Sequence, residues 1–399
     1  MEIFFEQKNS NLQFEHVERK GAGHPDTMCD AIAEKASAMY ANYCLNKFGK
    51  VAHHWFDKTM LIGGESNICF GVGEVIKPYI LIFAGKVSYC VGKHQIPVDS
   101  ILKSAVKDVL DNCLTGFDIE RHVVIENKLV DYQGAGRSES RYRPDSVDQL
   151  PSLEDYYKFT SNDCNLVSGY APLTTLENMV LKIERFINSV DFKSIHPYTG
   201  WDIKVFGTRE NEQYSIIVNM PILGKFCSSV ADYKVKIELA RLSVESFIAD
   251  IFGSIDLCLE LNPQDRRGKP YITAIGSAAD TGDVGVVGRG NRLNGLITPM
   301  RPMSIEAPAG KNPMDHTGKI YGLFANQLAQ YLYEKYNKYF EIHIYTLKES
   351  YLVDPDKVLI SSDYLNGDEM IEVEKIVREK LGKINTVISD LISEKVQLW

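Results

Sequence analysis

The strongest constraint on this chain lies at residues 276–321, GSAADTGDVGVVGRGNRLNGLITPMRPMSIEAPAGKNPMDHTGKIY. Glycines recur at 276, 282, 285, 288, 290, 295, 310 and 318, with Asp280, Asp283, Arg289, Arg292, Arg301 and Lys311 among them. Glycine lets the backbone approach a ligand and take turns closed to other residues. Cations and free N–H groups bind phosphate, and carboxylates in the same loop suit a hard metal bridging to it. A polyphosphate site is therefore expected. Yet the segment holds neither GxxxxGK[ST] nor a G-x-G-x-x-G between a strand and a helix. The usual kinase and dehydrogenase folds are disfavoured.

A chain of 399 residues suggests two or three domains. A hydrophobic fraction of 44% supports substantial cores. The net charge of −9 argues against nucleic acid as a partner. No apolar run has membrane-spanning length, and MEIFFEQKNS lacks the marks of a secretory signal. The cysteines at 29, 44, 69, 90, 113, 164, 227 and 258 form no CxxC motif, so free thiols in a reducing cytoplasm are expected.

Periodicity alternates between helix and strand. Helices are expected over 28–43, 101–110, 174–187, 232–252, 319–336 and 369–392, strands over 122–126, 201–207, 214–220, 255–261 and 340–346, and a strand or tight hairpin over 79–90. The polar stretch 133–160 is long for a connection, which suggests either a functional or a mobile loop. The reading is α+β, with approximate units at 1–132, 161–260 and 261–399 around that loop.

Four further places carry candidate chemistry. Gly21–Thr27 (GAGHPDT) precedes a helix, whose N-terminus favours anions. There His24 could donate to a phosphate oxygen and Asp26 could bind a metal. The competing reading makes Asp26 a helix cap, although Thr27 and Asp30 offer a Thr-x-x-Asp box for that purpose. Asn162-Asp163 could orient an ammonium or ribose, or form an Asx turn. Asp202 and Lys204 fall on one face of an expected strand, where a solvated face is the simpler reading. Glu65, after two glycines, could hold an amino group. His53 and His54, being adjacent in a strand, should face apart and not share a metal. The charged run Arg137–Arg143 reads as a solvated loop.

These residues resemble a known family. VERKGAGHPDTMCDAIAE at 17–34, NDCNLVSGYAPLT at 162–174 and GDVGVVGRGNRLNGLITPMRPMSIEAPAGKNPMDHTGKIY at 282–321 are similar, in order, to motifs of the archaeal-type S-adenosylmethionine synthetases. The resemblance implies three similar strand–helix units about a pseudo-threefold axis. It implies a homodimer, or a higher oligomer, with active sites at the interface. It also implies attack of the methionine sulfur on C5′ of ATP, expulsion of triphosphate, and its hydrolysis to phosphate and pyrophosphate. Two Mg²⁺ ions and K⁺ are expected to assist. By motif, His24, Lys204, Arg289 and Lys311 would be catalytic. Gln133, Gly134, Ala135, Gly136, Asp163, Asp202, Gly288 and Arg289 would bind ATP. Glu65 and Asp283 would face methionine, and Asp26 and Asp315 would hold metal. The chain departs from the family pattern at Thr27, Val284, Gly290, Asp315 and HHWFD at 53–57, and its 133–136 loop matches only loosely. An enzyme of this fold with altered thioether or nucleotide specificity, or a silent nucleotide-binding homologue, are the alternatives.

Overall fold

The structure is a computed structural model and describes residues 1–8, 12–132, 141–264 and 268–399. The architecture is α+β. Three larger sheets organise the described residues, each with its own buried apolar cluster.

The first sheet has the order Val123–Val130, Tyr79–Val87, Met60–Ile62, Val284–Val286, with His54–Trp55 pairing beside Tyr79–Val87. Strand alternation sends Tyr79, Leu81, Phe83 and Leu61 to one face, where they are buried with Met28, Ile32, Leu102 and Val106 of the helices Pro25–Phe48 and Val98–Cys113. The second sheet runs Leu257–Leu261, Gln213–Asn219, Lys204–Glu210, Phe14–Lys20 and is backed by helices Thr175–Ile187 and Val230–Phe252. A reciprocal capping box between Thr174 and Glu177 starts the first of these helices. The third sheet, Glu2–Gln7, Lys357–Ser362, Phe340–Thr346, Asn165–Ala171, packs on helix Thr317–Tyr336. Strands remote in sequence thus share sheets: Glu2–Gln7 pairs in parallel with Lys357–Ser362, and the first sheet takes Val284–Val286 from the glycine-rich segment.

The helix expected over 369–392 is two helices, Gly367–Leu381 and Asn385–Ile392, parted at Gly382. The strands Glu2–Gln7, Phe14–Lys20, Asn165–Ala171 and Lys357–Ser362 lie beyond the periodicity reading. No helix among the described residues is long and apolar enough to cross a membrane.

Candidate active site

The helix Pro25–Phe48 organises the site. It begins before the expected Thr27–Asp30 cap. Proline takes the first helical position, and His24 is the cap, its Nδ1 accepting from the Asp26 N–H at 3.1 Å. Thr27 instead donates to the Lys20 carbonyl at 3.2 Å. The acids along the helix pin the glycine-rich segment. Asp26 accepts from the Val286 N–H (3.0 Å), Asp30 from Gly288 (2.8 Å) and Glu34 from Gly310 (2.9 Å), at the i, i+4 spacing that keeps them on one face. Burial pushes the Asp30 carboxyl up to about 7. Asp280 is likewise architectural: one of its oxygens accepts from the N–H groups of Ala274, Ile275 and Gly276, and the other from the Tyr79 hydroxyl.

Two lysines meet at the helix start. Lys20 ends one strand and stands directly opposite Lys204, which begins its antiparallel neighbour. Lys20 Nζ donates to Asp26 Oδ2 and to the Arg289 carbonyl, both at 2.8 Å, while Lys204 Nζ lies 3.1 Å from Glu18 Oε2. Burial, followed by the Lys20 charge, lowers the His24 pKa to about 4 against the pull of Asp26 and Asp283. The imidazole is therefore neutral near pH 7. Because Nδ1 accepts the cap bond, the ring proton is assigned to Nε2, which makes that atom a donor.

Asp202 precedes its strand and is buried, contrary to the solvated-face reading. Its Oδ2 accepts from the Ala278 N–H (3.0 Å) and the Tyr271 hydroxyl (2.9 Å), and burial raises its pKa to about 7. Asp283 and Glu65 are exposed neighbours. The Gly63 N–H donates to the Asp283 carbonyl (2.9 Å), the Gly64 N–H donates to Ala279 (2.8 Å), and Glu65 pairs with Lys77. Arg289 is exposed beside Gly288.

A second cluster surrounds Lys311. Its ammonium pairs with Glu306 and lies 3.5 Å from Asp57, and burial lowers its pKa. Lys319 sits alongside, 2.6 Å from Glu34, and burial holds the His316 imidazole well below its usual pKa. Asp315 is 3.3 Å from Arg141 and 3.8 Å from His53. His54 turns the other way, to Ser37 (2.8 Å), so the paired histidines do face apart. Ser37 also reaches the Lys311 carbonyl. From Asp26 to Ser37 the helix rises about 16 Å, so the backbone of Lys311 is tied well along the helix from His24.

Asp163 is exposed in a turn, its Oδ1 accepting from the Cys164 N–H. Its neighbour Asn162 bonds the Thr317 N–H at 3.1 Å. Gln133, Gly134, Ala135 and Gly136 lie outside the described residues. Among the described residues no group of three His, Cys, Asp or Glu side chains forms a ready metal cage. Lys20 was not singled out from the sequence; only its register opposite Lys204 brings it forward.

A neutral hydrogen-bond donor, two facing lysines and a helix N-terminus make up the class of site that suits an anionic group. Residues 1–395 match the S-adenosylmethionine synthetase (AdoMet synthetase) family, and the chain belongs to it. The S-adenosylmethionine synthase of Aeropyrum pernix is 35% identical over 98% of this chain and 96% of its own length. Those of Pyrobaculum aerophilum (96% of this chain) and Sulfurisphaera tokodaii (98%) are also 35% identical, each over 96% of its own length.

Proposed function

We propose that the cluster of His24, Lys204 and the Arg289 loop holds the triphosphate of ATP while the methionine sulfur attacks C5′. The activity is methionine adenosyltransfer, giving S-adenosylmethionine, with the triphosphate then cleaved to phosphate and pyrophosphate. Sulfur is a neutral nucleophile and needs no general base. Rate must then come from positioning and from stabilising charge on the leaving triphosphate. The observation that carries the reading is His24: a neutral ring with its Nε2–H free of the cap bond, set beside two opposed lysines. That proton can be donated to the oxygen leaving C5′. Asp283, bonded through its carbonyl to the Gly63 N–H, and nearby Glu65 are proposed to take the methionine ammonium. Asp202, Gly288 and Asp163 are assigned to the nucleotide side, as is the Gln133–Gly136 loop.

Magnesium is usually held by one or two carboxylates together with substrate phosphates rather than by a protein cage. Asp26, beside Lys20 at the helix start, is the carboxylate proposed for that role, and a bound ion would neutralise triphosphate charge. Asp315 is the other proposed ligand, although its contacts with Arg141 and His53 suit an anchor for the chain after residue 140 equally well. Potassium is retained as a cofactor on the strength of the resemblance.

A homodimer with composite sites is supported by the distance between the His24 and Lys311 clusters and by the uncovered face of the first sheet. There Val124, Ile80, Ile62 and Val284 form one cross-strand row, and Val124 and Val284 are exposed at 46% and 43%. A partner's Lys311 could then reach the site. Three units about a pseudo-threefold axis fit three sheets with separate cores. Eight unpaired cysteines favour a cytoplasmic setting.

The decisive assay incubates the full chain with ATP, methionine, MgCl₂ and KCl and follows S-adenosylmethionine, phosphate and pyrophosphate by mass spectrometry. No adenosyl transfer, with nucleotide still bound, would favour a silent homologue. The buried, unpartnered indole N–H of Trp55 motivates altered specificity, which faster turnover with ethionine or GTP would establish.

A further inference from the structure

We propose that Lys20 is a substrate-contacting residue, a second lysine that binds the triphosphate beside Lys204. The inference rests on the reading of this site as a triphosphate site.

Three observations lead there. The antiparallel register sets Lys20 directly opposite Lys204, so their side chains leave the sheet on one face. Like charges directly opposite destabilise a sheet. Here each is offset by one carboxylate, Asp26 for Lys20 and Glu18 for Lys204, and the pair stays close to charge balance until an anion arrives. Second, the ammonium has three N–H donors. Two are accounted for, by Asp26 Oδ2 and the Arg289 carbonyl, each at 2.8 Å, which leaves one for a ligand. Third, those two acceptors belong to the first turn of the helix and to the glycine-rich segment. Lys20 therefore stands where strand end, helix N-terminus and loop converge, its side chain 15% exposed and its head at the mouth of the site. A helix N-terminus attracts anions by itself. An ammonium fixed there by two bonds is preorganised for charge developing on the departing triphosphate.

A purely structural Lys20, serving only to neutralise Asp26, predicts different results. Calorimetry with tripolyphosphate and MgCl₂ should give at least about tenfold weaker binding for Lys20→Met than for the wild type, with most of the affinity restored in Lys20→Arg. Turnover in Lys20→Met should fall by about 100-fold, the scale for losing one preorganised donor, with KM for methionine little changed. Wild-type binding of tripolyphosphate by a folded Lys20→Met would overturn the proposal. Should that variant not fold, lysine footprinting of the wild-type protein with an acetylating reagent replaces it. Tripolyphosphate should protect Lys20 together with Lys204, and protection of Lys204 alone would overturn the role of Lys20. If the wild type itself neither binds tripolyphosphate nor transfers adenosyl groups, the reading of the whole site falls with it.

Discussion

Gly23→Ala is the smallest change that should damage this site. A Cβ built on Gly23 would stand 2.6 Å from both the carbonyl carbon and the Cβ of Trp201 and 2.8 Å from the Asp202 nitrogen. Carbon atoms in ordinary contact are about 3.5–4.0 Å apart, so the two segments must separate by roughly 1 Å. Little there can yield. The Gly23 N–H donates to the Trp201 carbonyl at 3.0 Å, Ser277 donates to the Gly23 carbonyl at 2.7 Å, and the N–H groups of Trp201 and Asp202 both donate to Gly276 (2.9 and 3.0 Å). Gly23 is thus the point at which the loop before the helix, the approach to Lys204 and the start of the glycine-rich segment meet.

The expected stability loss is about 1–3 kcal/mol, typical of overpacking. The functional loss should be larger in proportion, because His24 follows directly and its distance from Lys204 is set here. A misplacement of about 1 Å can cost on the order of 100-fold in rate. Differential scanning calorimetry and steady-state turnover test both, with Gly367→Ala as the control. That residue opens a helix and a Cβ there meets nothing within 4 Å, so neither quantity should fall. Wild-type turnover in Gly23→Ala would refute the claim that this junction sets the catalytic geometry, whatever happens to the melting temperature.

Other outcomes follow from the same structure. Arg289→Ala and Lys311→Ala should each lower kcat by about 10²–10³-fold; near-normal turnover in both would remove them from the triphosphate site. The folded-state pKa of His24, about 4, lies below the 6.5 of an unperturbed histidine. Its contribution to stability is therefore present above pH 6.5 and lost as the pH falls towards 4, on the order of 3 kcal/mol in all. The stability difference between the wild type and His24→Gln, from urea unfolding, should shift by that order across the window, and a flat difference contradicts the assignment. Ile80→Asp, in the middle of the uncovered apolar row, should convert the proposed dimer to monomers in sedimentation velocity, while an unchanged dimer mass would contradict an interface on this face.

What the sequence disclosed and what it hid have physical causes. The glycine-rich segment and GAGHPD were legible because close backbone packing demands glycine, and charge among glycines is a pattern in itself. The helices were legible because their buried faces are apolar. Phe14–Lys20 was hidden because its buried face is not: it consists of Glu15, Val17 and Arg19. Glu15 is held by Arg209 and Arg19 by Glu184, partners 194 and 165 residues away. Ion pairs between distant residues replace the alternation that marks a strand. Asp202 was misjudged for a related reason. Nothing near it in sequence shows that the Ala278 N–H and the Tyr271 hydroxyl will take it out of water.

The same concealment bears on how the site is divided. Motif order put His24, Lys204, Arg289 and Lys311 in one reaction, and order along a chain carries no distance. The helix Pro25–Phe48 supplies one, since its acidic face fastens Val286 and Gly288 near its start and Gly310 more than a turn further on. The glycine-rich segment is therefore laid along the helix rather than folded around its end. Val286–Gly288 is fixed at the His24 cluster, and Lys311 is carried away from it. If both ends act on one triphosphate, the proposed dimer lets a second chain supply Lys311. The apolar row on the first sheet includes Val284, in the same strand as Val286, whose N–H holds Asp26. Loss of that proposed dimer should then abolish turnover even where His24 and Lys204 are intact.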